Sequence, residues 1–389
     1  FHLPWVYLHG IGAYSDMASH LEAVSDARAV VNFSPVLLDQ VLDYAARLGA
    51  DREFSANLGD ALLDALRLLP PNGIGRASIV HRCLPVHRNR RTDRHPAFLA
   101  LVERVARLDP GAVPDSLLSD LLVWFHLNWL GESLRDDARA QALLAKGGRY
   151  DAADRRSMLA LISDALTNLI PRYRALAERG QIELSMTPYH HPLLPLLLDF
   201  QSAADTAPGV SLPAHPYPEG ESRARWHLQA GRARFVEIFG QVPQGCWPSE
   251  AALSDGTLGL LDDLGFAWTA SSGSVLSHTA SHHHLPQADP FSAWQQEGRA
   301  LRCYFRDDGL SDRIGFAYKD WHADDAVADL LGHLEQIHAQ GSRQLVLIAL
   351  DGENAWEFYA DNGIHFLRGL YRALARHPRL RMLTLQGCA

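Results

Sequence analysis

A chain of 389 residues, 47% of them apolar and 21% charged, has material for one large catalytic domain or two medium ones. Its net charge of −9 would repel phosphates, so neither a nucleic-acid nor a membrane partner is expected. No apolar run reaches the ~18 residues needed to cross a bilayer. One local basic run, His87-Arg88-Asn89-Arg90-Arg91, reads as a solvated loop. The four cysteines, Cys83, Cys246, Cys303 and Cys388, have neither zinc-ribbon nor CxxC spacing. Free thiols in a reducing, cytoplasmic setting fit that pattern. No signal peptide is visible. The chain opens on Phe1 rather than Met, which leaves room for an upstream segment.

In chain order, short β-rich runs recur at Arg28–Ser34, Ile182–Thr187, Gln244–Ser249, Phe266–Ser272, Leu301–Asp308 and Leu345–Leu350. The last is apolar throughout, as expected of a strand buried on both faces of a parallel sheet. Leu383–Leu385 reads as one more short strand. Helices are expected at Ala251–Leu264, Ala323–His338 and Asn362–Arg376. Asp324 and Asp325 sit in the first turn of the second, where carboxylates complement the helix dipole. From about Gly49 to Gly180 the pattern is mostly helical, with loops rich in Arg, Pro and Gly, and reads as a helical insertion. Strands alternating with helices imply an α/β fold with a parallel sheet: a (β/α) barrel first, a doubly wound sheet second.

In barrels, chemistry gathers where strands end at their C-terminal side. After Ile182–Thr187 come Tyr189, His190 and His191; the Gln244 strand runs through Trp247 to Glu250. Leu301–Asp308 ends in Arg306, Asp307 and Asp308, and Leu345–Leu350 leads into Asp351, Glu353, Trp356 and Glu357. Two carboxylates on separate strands beside aromatic faces are what glycoside hydrolysis needs. One attacks the anomeric carbon or activates water, and the other protonates the leaving oxygen. Taken singly, each carboxylate is as well explained as a helix cap or surface ion pair, and Arg306 with Asp307 as an ion pair on the rim. The tract His282-His283-His284 reads as a loop, because adjacent histidines seldom chelate one ion. Trp124, Phe125, His126, Trp129 and Glu132 form an aromatic helical stretch that reads as core. Asp16 and Asn32 read as structural, and Trp5, beside His2 and His9, is placed to reach the cleft.

Six segments, in order, carry a resemblance: Leu3–Asp16 (LPWVYLHGIGAYSD), Asn32–Gln40 (NFSPVLLDQ), Thr187–Leu197 (TPYHHPLLPLL), Gly245–Glu250 (GCWPSE), Phe305–Phe316 (FRDDGLSDRIGF) and Leu350–Glu357 (LDGENAWE). Together they resemble glycoside hydrolase family 57, especially its amylopullulanase-like and α-amylase-like members. The resemblance implies an incomplete (β/α)7 barrel in a single catalytic domain over 1–389, with the insertion at about 49–180 and C-terminal helices. It implies a retaining mechanism on α-glucans through a covalent glycosyl-enzyme, without a cofactor or catalytic metal. Glu250 takes the place of the family nucleophile and Asp351 that of the acid/base. His191 holds a substrate-binding position and Trp247 the matching aromatic one. His190, Arg306, Asp307, Glu353, Trp356 and Trp5 complete the expected substrate-binding set.

Two departures stand out. The family's opening His-x-His-Gln-Pro stretch is absent, so a first strand is expected upstream of residue 1, and the C-terminal helical extension is short. Three functions compete: hydrolysis of α-glucans, a 4-α-glucanotransferase or branching-type transglycosylation using the same residues, and a metal-dependent polysaccharide deacetylase or α-mannosidase. For the last, the histidine tract and His191 are the only support.

Overall fold

The computed structural model describes residues 3–50, 53–84, 94–284, 288–341, 344–353 and 355–388. The basic run at 87–91 and His2 lie outside these residues. Its frame is a six-stranded sheet of β1 (Ala29–Phe33), β2 (Ile182–Met186), β3 (Gly245–Cys246), β4 (Trp268–Ser272), β5 (Trp294–Gln295) and β6 (Arg302–Arg306), ordered β1-β2-β3-β4-β6-β5. All neighbours pair in parallel except β5, a short antiparallel edge strand that no sequence signal had marked. Parallel pairing puts every main strand's C-terminal end on one rim.

The α/β expectation holds, and the expected runs at 28–34, 182–187, 244–249, 266–272 and 301–308 each contain a strand. Two expectations fail. Leu345–Leu350 is not a doubly buried strand: it bridges β6 only at Leu347 with Arg306, and its side chains stay partly exposed. The reason is that its other side borders an open cleft instead of a second strand. Leu383–Leu385 forms no strand either; Leu383 is exposed, and Gln386 N–H, just beyond, donates to the Glu183 carboxylate at 2.8 Å.

The stretch from about 49 to 180 carries the expected helical pattern, with helices at Ala61–Arg67, Ile74–Cys83, Pro96–Val105, Asp115–Trp129, Glu132–Arg135, Ala138–Lys146 and Ala152–Glu178. The 27-residue Ala152–Glu178 helix starts in a capping box, with the Asp151 side chain on the Ala153 and Asp154 N–H groups. It packs leucines into a core with Tyr7, Leu8, Leu62 and Leu121. Trp124, Phe125, His126 and Trp129 belong to that buried layer, and burial holds the His126 imidazole down at about 4. A 20-residue helix, Gly220–Phe239, was not legible because its apolar stripe is diluted by Arg, Gly and Glu. The helix expected from Ala251 begins only at Asp255, because Ser254 Oγ caps Thr257 N–H. The C-terminal helices run over Ala323–Gln340 and Ile364–Ala375 and share an apolar core with Trp356 and Tyr359.

Behind the rim, Trp268 crosses from β4 over β3 and β2. Its indole N–H donates to Glu183 Oε1 at 2.6 Å in a buried site. Only a glycine allows that crossing, since a Cβ at position 245 would lie 1.9 Å from the indole ring. Gly245→Ala is therefore expected to destabilise the fold by at least about 2 kcal/mol, read as a lowered urea midpoint. Unchanged stability would mean that the indole does not occupy this position.

Candidate active site

The cleft has a volume of about 1300 Å3, and its lining includes Thr187, His191, Trp247, Glu250, Ser272, Arg306 and Asp351, all at or just beyond strand ends. Of the residues expected from sequence, the structure brings Glu250, Asp351, His191, Trp247, Arg306, Glu353 and Trp356 to this cleft. His190, Asp307 and Trp5 do not line it. Asp307 caps the short Asp308–Asp312 helix, its Oδ1 accepting from Leu310 N–H at 2.8 Å. Trp5, 40% exposed, stacks on His9 at 5.7 Å and meets Trp129 edge-on at 5.7 Å. Asp16 and Asn32 reach the cleft but are structural. Asp16 accepts from Glu132 N–H at 2.7 Å and Ser133 N–H at 2.8 Å, and Asn32 bonds Thr187 and Ser185.

Glu250 sits in a one-turn 3-10 segment, Ser249–Ala251, directly after β3. Its backbone is left-handed, at φ 55 and ψ 24, and so is that of Ala251 at φ 58. His191 is a third non-glycine residue of the rim in this region, at φ 58. Such conformations cost on the order of 1–3 kcal/mol each and persist only where surrounding bonds enforce them. Here Ala251 N–H donates to Pro248 O at 2.9 Å, and the buried Ser271 Oγ on β4 donates to Ala251 O at 2.7 Å. The Glu250 side chain is thereby turned out of the strand direction and left exposed.

Asp351 is exposed at the end of a segment with little sheet pairing, so other bonds must place it. Asp307 N–H donates to Leu347 O at 2.8 Å. Arg306 Nη1 donates to Ala349 O at 3.2 Å, while its Nε is held by Asp308 Oδ1 at 2.6 Å and its Nη2 by Asp312 Oδ1 at 3.3 Å. Ala349 N–H donates to Ser311 Oγ at 3.3 Å. Arg306 thus acts as a positioning residue, with two carboxylates aiming its guanidinium at the peptide two residues before Asp351. Ser311, fully buried in the FRDDGLSDRIGF segment, was not singled out in the sequence.

Glu353 is half-buried, and burial, opposed by a hydrogen bond from Tyr14 and helped by the Asp351 charge, raises its carboxyl above the ordinary value. Tyr14, itself buried, was also missed as a site residue although its segment carried the first matched motif. Phe316, 73% exposed, and Phe358, 49% exposed, add aromatic faces to the cleft wall, with Lys319 beside Phe358. Nothing in their spacing distinguished them from core aromatics. Among the described residues no three His, Cys, Asp or Glu side chains are grouped to hold a metal ion, and His282 ends the Gly273–His282 helix.

Two outcomes follow from this geometry. Ser311→Ala frees Ala349, so kcat should fall between about ten- and a hundredfold with little change in KM. An unchanged kcat would show that Asp351 is placed without this bond. The folded-state pKa of Glu353 lies above its unfolded value. The stability it contributes is therefore present in acid and lost as pH rises through the folded pKa. Glu353→Gln should melt higher than the parent at pH 7, the gap closing below about pH 4. A variant that melts lower at pH 7 would mean that the Glu353 carboxylate is net stabilising.

Residues 1–388 match the model of glycosyl hydrolase family 57. Among solved structures, a GH57-type branching enzyme from the archaeon Pyrococcus horikoshii superposes with a TM-score of 0.54 at 12% identity, over 98% of this chain and 64% of that one. A GH57 branching enzyme from Thermococcus kodakaraensis gives 0.56 at 12%, over 97% and 65%. The α-amylase AmyC from Thermotoga maritima gives 0.51 at 12%, over 98% and 68%. The chain therefore spans just under two thirds of the two branching enzymes' length, and at such identity the likeness concerns the fold. No curated protein sequence matches. The order of motifs, the parallel frame and the full-length model match converge: this chain belongs to glycosyl hydrolase family 57.

Proposed function

We propose that this protein is a retaining glycosidase acting on α-glucans, with Glu250 as nucleophile and Asp351 as acid/base. The observation that carries this reading is that both carboxylates, from the ends of two different strand-like segments, line one cleft with aromatic walls. In the first step the Glu250 carboxylate attacks the anomeric carbon while Asp351 gives its proton to the glycosidic oxygen. The glycosidic bond breaks and a glycosyl ester of Glu250 remains. In the second step Asp351 takes a proton from the incoming hydroxyl, which displaces Glu250 and restores both groups. Water as that hydroxyl gives hydrolysis; a glucan hydroxyl gives transglycosylation on the same residues. His191 and Trp247 bind the sugar, and Trp356 backs the loop that carries Asp351. Glu353, whose proton affinity burial raises, lies beside them as a further polar contact for a substrate hydroxyl.

The architecture under this reading is an incomplete (β/α)7 barrel in one catalytic domain, 1–389, with the helical insertion at about 49–180. It is supported by β1 and the 345–350 segment, each paired on one side only and bordering the cleft on the other. Four free cysteines, three of them buried, fit a cytoplasmic setting. Among the described residues no helix is long and apolar enough to cross a membrane.

The deciding experiment incubates the protein with maltooligosaccharides, glycogen and pullulan and resolves products by chain length and anomeric form. Shortened products of retained configuration are expected; longer or branched products would assign the transferase outcome, and cleavage of pullulan the amylopullulanase subtype. Inverted products would sink the covalent mechanism. Glu250→Ala should abolish turnover and leave glucan binding intact, with azide restoring part of the rate. Asp351→Asn should slow poor leaving groups by about 10²–10⁴-fold and activated aryl glycosides far less. Equal losses on both would move the acid role to another residue of the cleft.

A further inference from the structure

We propose that glucan chains are also held outside the cleft, on an aromatic platform built from Trp226, Tyr189, His190 and His227. This rests on the α-glucan reading above and extends it to a second binding surface. Tyr189 and His190 belong to the segment that follows β2 and continues directly into His191 on the cleft wall. Trp226 and His227 come from the Gly220–Phe239 helix. Their rings form one patch: Trp226 lies 5.6 Å from Tyr189, 5.9 Å from His190 and 5.0 Å from His227, and His190 lies 5.5 Å from His227.

Trp226 is 50% exposed, yet the rings around it are held in place. The Tyr189 hydroxyl donates to Asp39, which is paired with Arg234 Nε at 2.5 Å. Tyr189 N–H donates to His227 O at 3.1 Å, and His190 N–H to His227 Nδ1 at 3.4 Å. With Nδ1 accepting, the neutral His227 ring carries its proton on Nε2 as a donor. Burial, with His190 and Arg223 nearby, lowers that ring's proton affinity. The result is an apolar indole face bordered by imidazole donors and acceptors, ordered before any ligand arrives. A glucose ring presents the complement, C–H groups on its faces and hydroxyls at its edge.

A protein partner fits this patch less well. Arg223, exposed, stands beside His227, and the exposed apolar part of the patch is chiefly the Trp226 indole with the partly buried Tyr189 ring. That is far below the ~1,000 Å2 of a stable interface. A polymer that already has one segment in the adjoining cleft needs only a weak second contact to gain in affinity.

The test compares parent, Trp226→Ala and Trp226→Phe. Retardation in native gels containing glycogen is measured beside KM for glycogen and for maltotriose, with thermal melts to check folding. Trp226→Ala should bind glycogen about tenfold more weakly and raise KM for glycogen alone, while Trp226→Phe keeps most of the affinity. If Trp226→Ala is retarded like a parent that cleaves α-glucans, the platform is wrong and the catalytic reading stands. An equal loss on maltotriose would assign Trp226 to the cleft and overturn the platform as a separate site. A parent that neither binds nor cleaves any α-glucan overturns both.

Discussion

Parallel pairing is the constraint on which everything else depends. Strands β1, β2, β3, β4 and β6 all run in one direction, so the residues that leave their C-terminal ends must meet on one side of the sheet. The chain distances are large, from Asn32 at the end of β1 to Asp351, and only the common polarity of the strands removes them. A single antiparallel substitution among the central strands would carry Glu250 or His191 to the opposite face. The one antiparallel strand, β5, sits at the edge, where it displaces no rim residue.

Within that frame the two carboxylates are placed by opposite means. Glu250 follows a strand held on both sides, and its backbone is forced into the left-handed region by the Ala251 and Ser271 bonds. Asp351 follows a segment held on one side, so side chains replace the missing ladder. Arg306 is the central one, and its three bonds explain why a guanidinium at a cleft wall need not face substrate. The neighbouring acidic residues Asp308 and Asp312 serve to aim it.

Much of this was legible in the sequence. Every central parallel strand lay inside an expected run, and the strand ends fall on one rim, because strand polarity in an α/β pattern is fixed by the connecting helices. What was not legible depends on tertiary context. The apolar run Leu345–Leu350 reads as a central strand, since composition reports apolarity but not the presence of a second neighbour. Asp307 looks like its neighbour Asp308 in sequence; only the cap to Leu310 separates them. Tyr14 and Ser311 were inside quoted motifs, but a tyrosine and a serine in short helical stretches carry no sign of the partner they will meet.

The rim also carries the less stable features of the fold. His191, Glu250 and Ala251 adopt a backbone that other non-glycine residues rarely take, and Glu353 keeps a carboxyl where burial and Asp351 both oppose its charge. Behind the rim the opposite holds. Glu183, a more deeply buried carboxylate, has both oxygens occupied, by the Trp268 indole and the Gln386 backbone. A buried acid that is satisfied stabilises a sheet, whereas one left to a single tyrosine beside another carboxyl has hydrogen-bonding capacity left for a ligand. On that ground Glu353, more than the exposed Asp351 itself, is the carboxyl this loop keeps at the expense of stability.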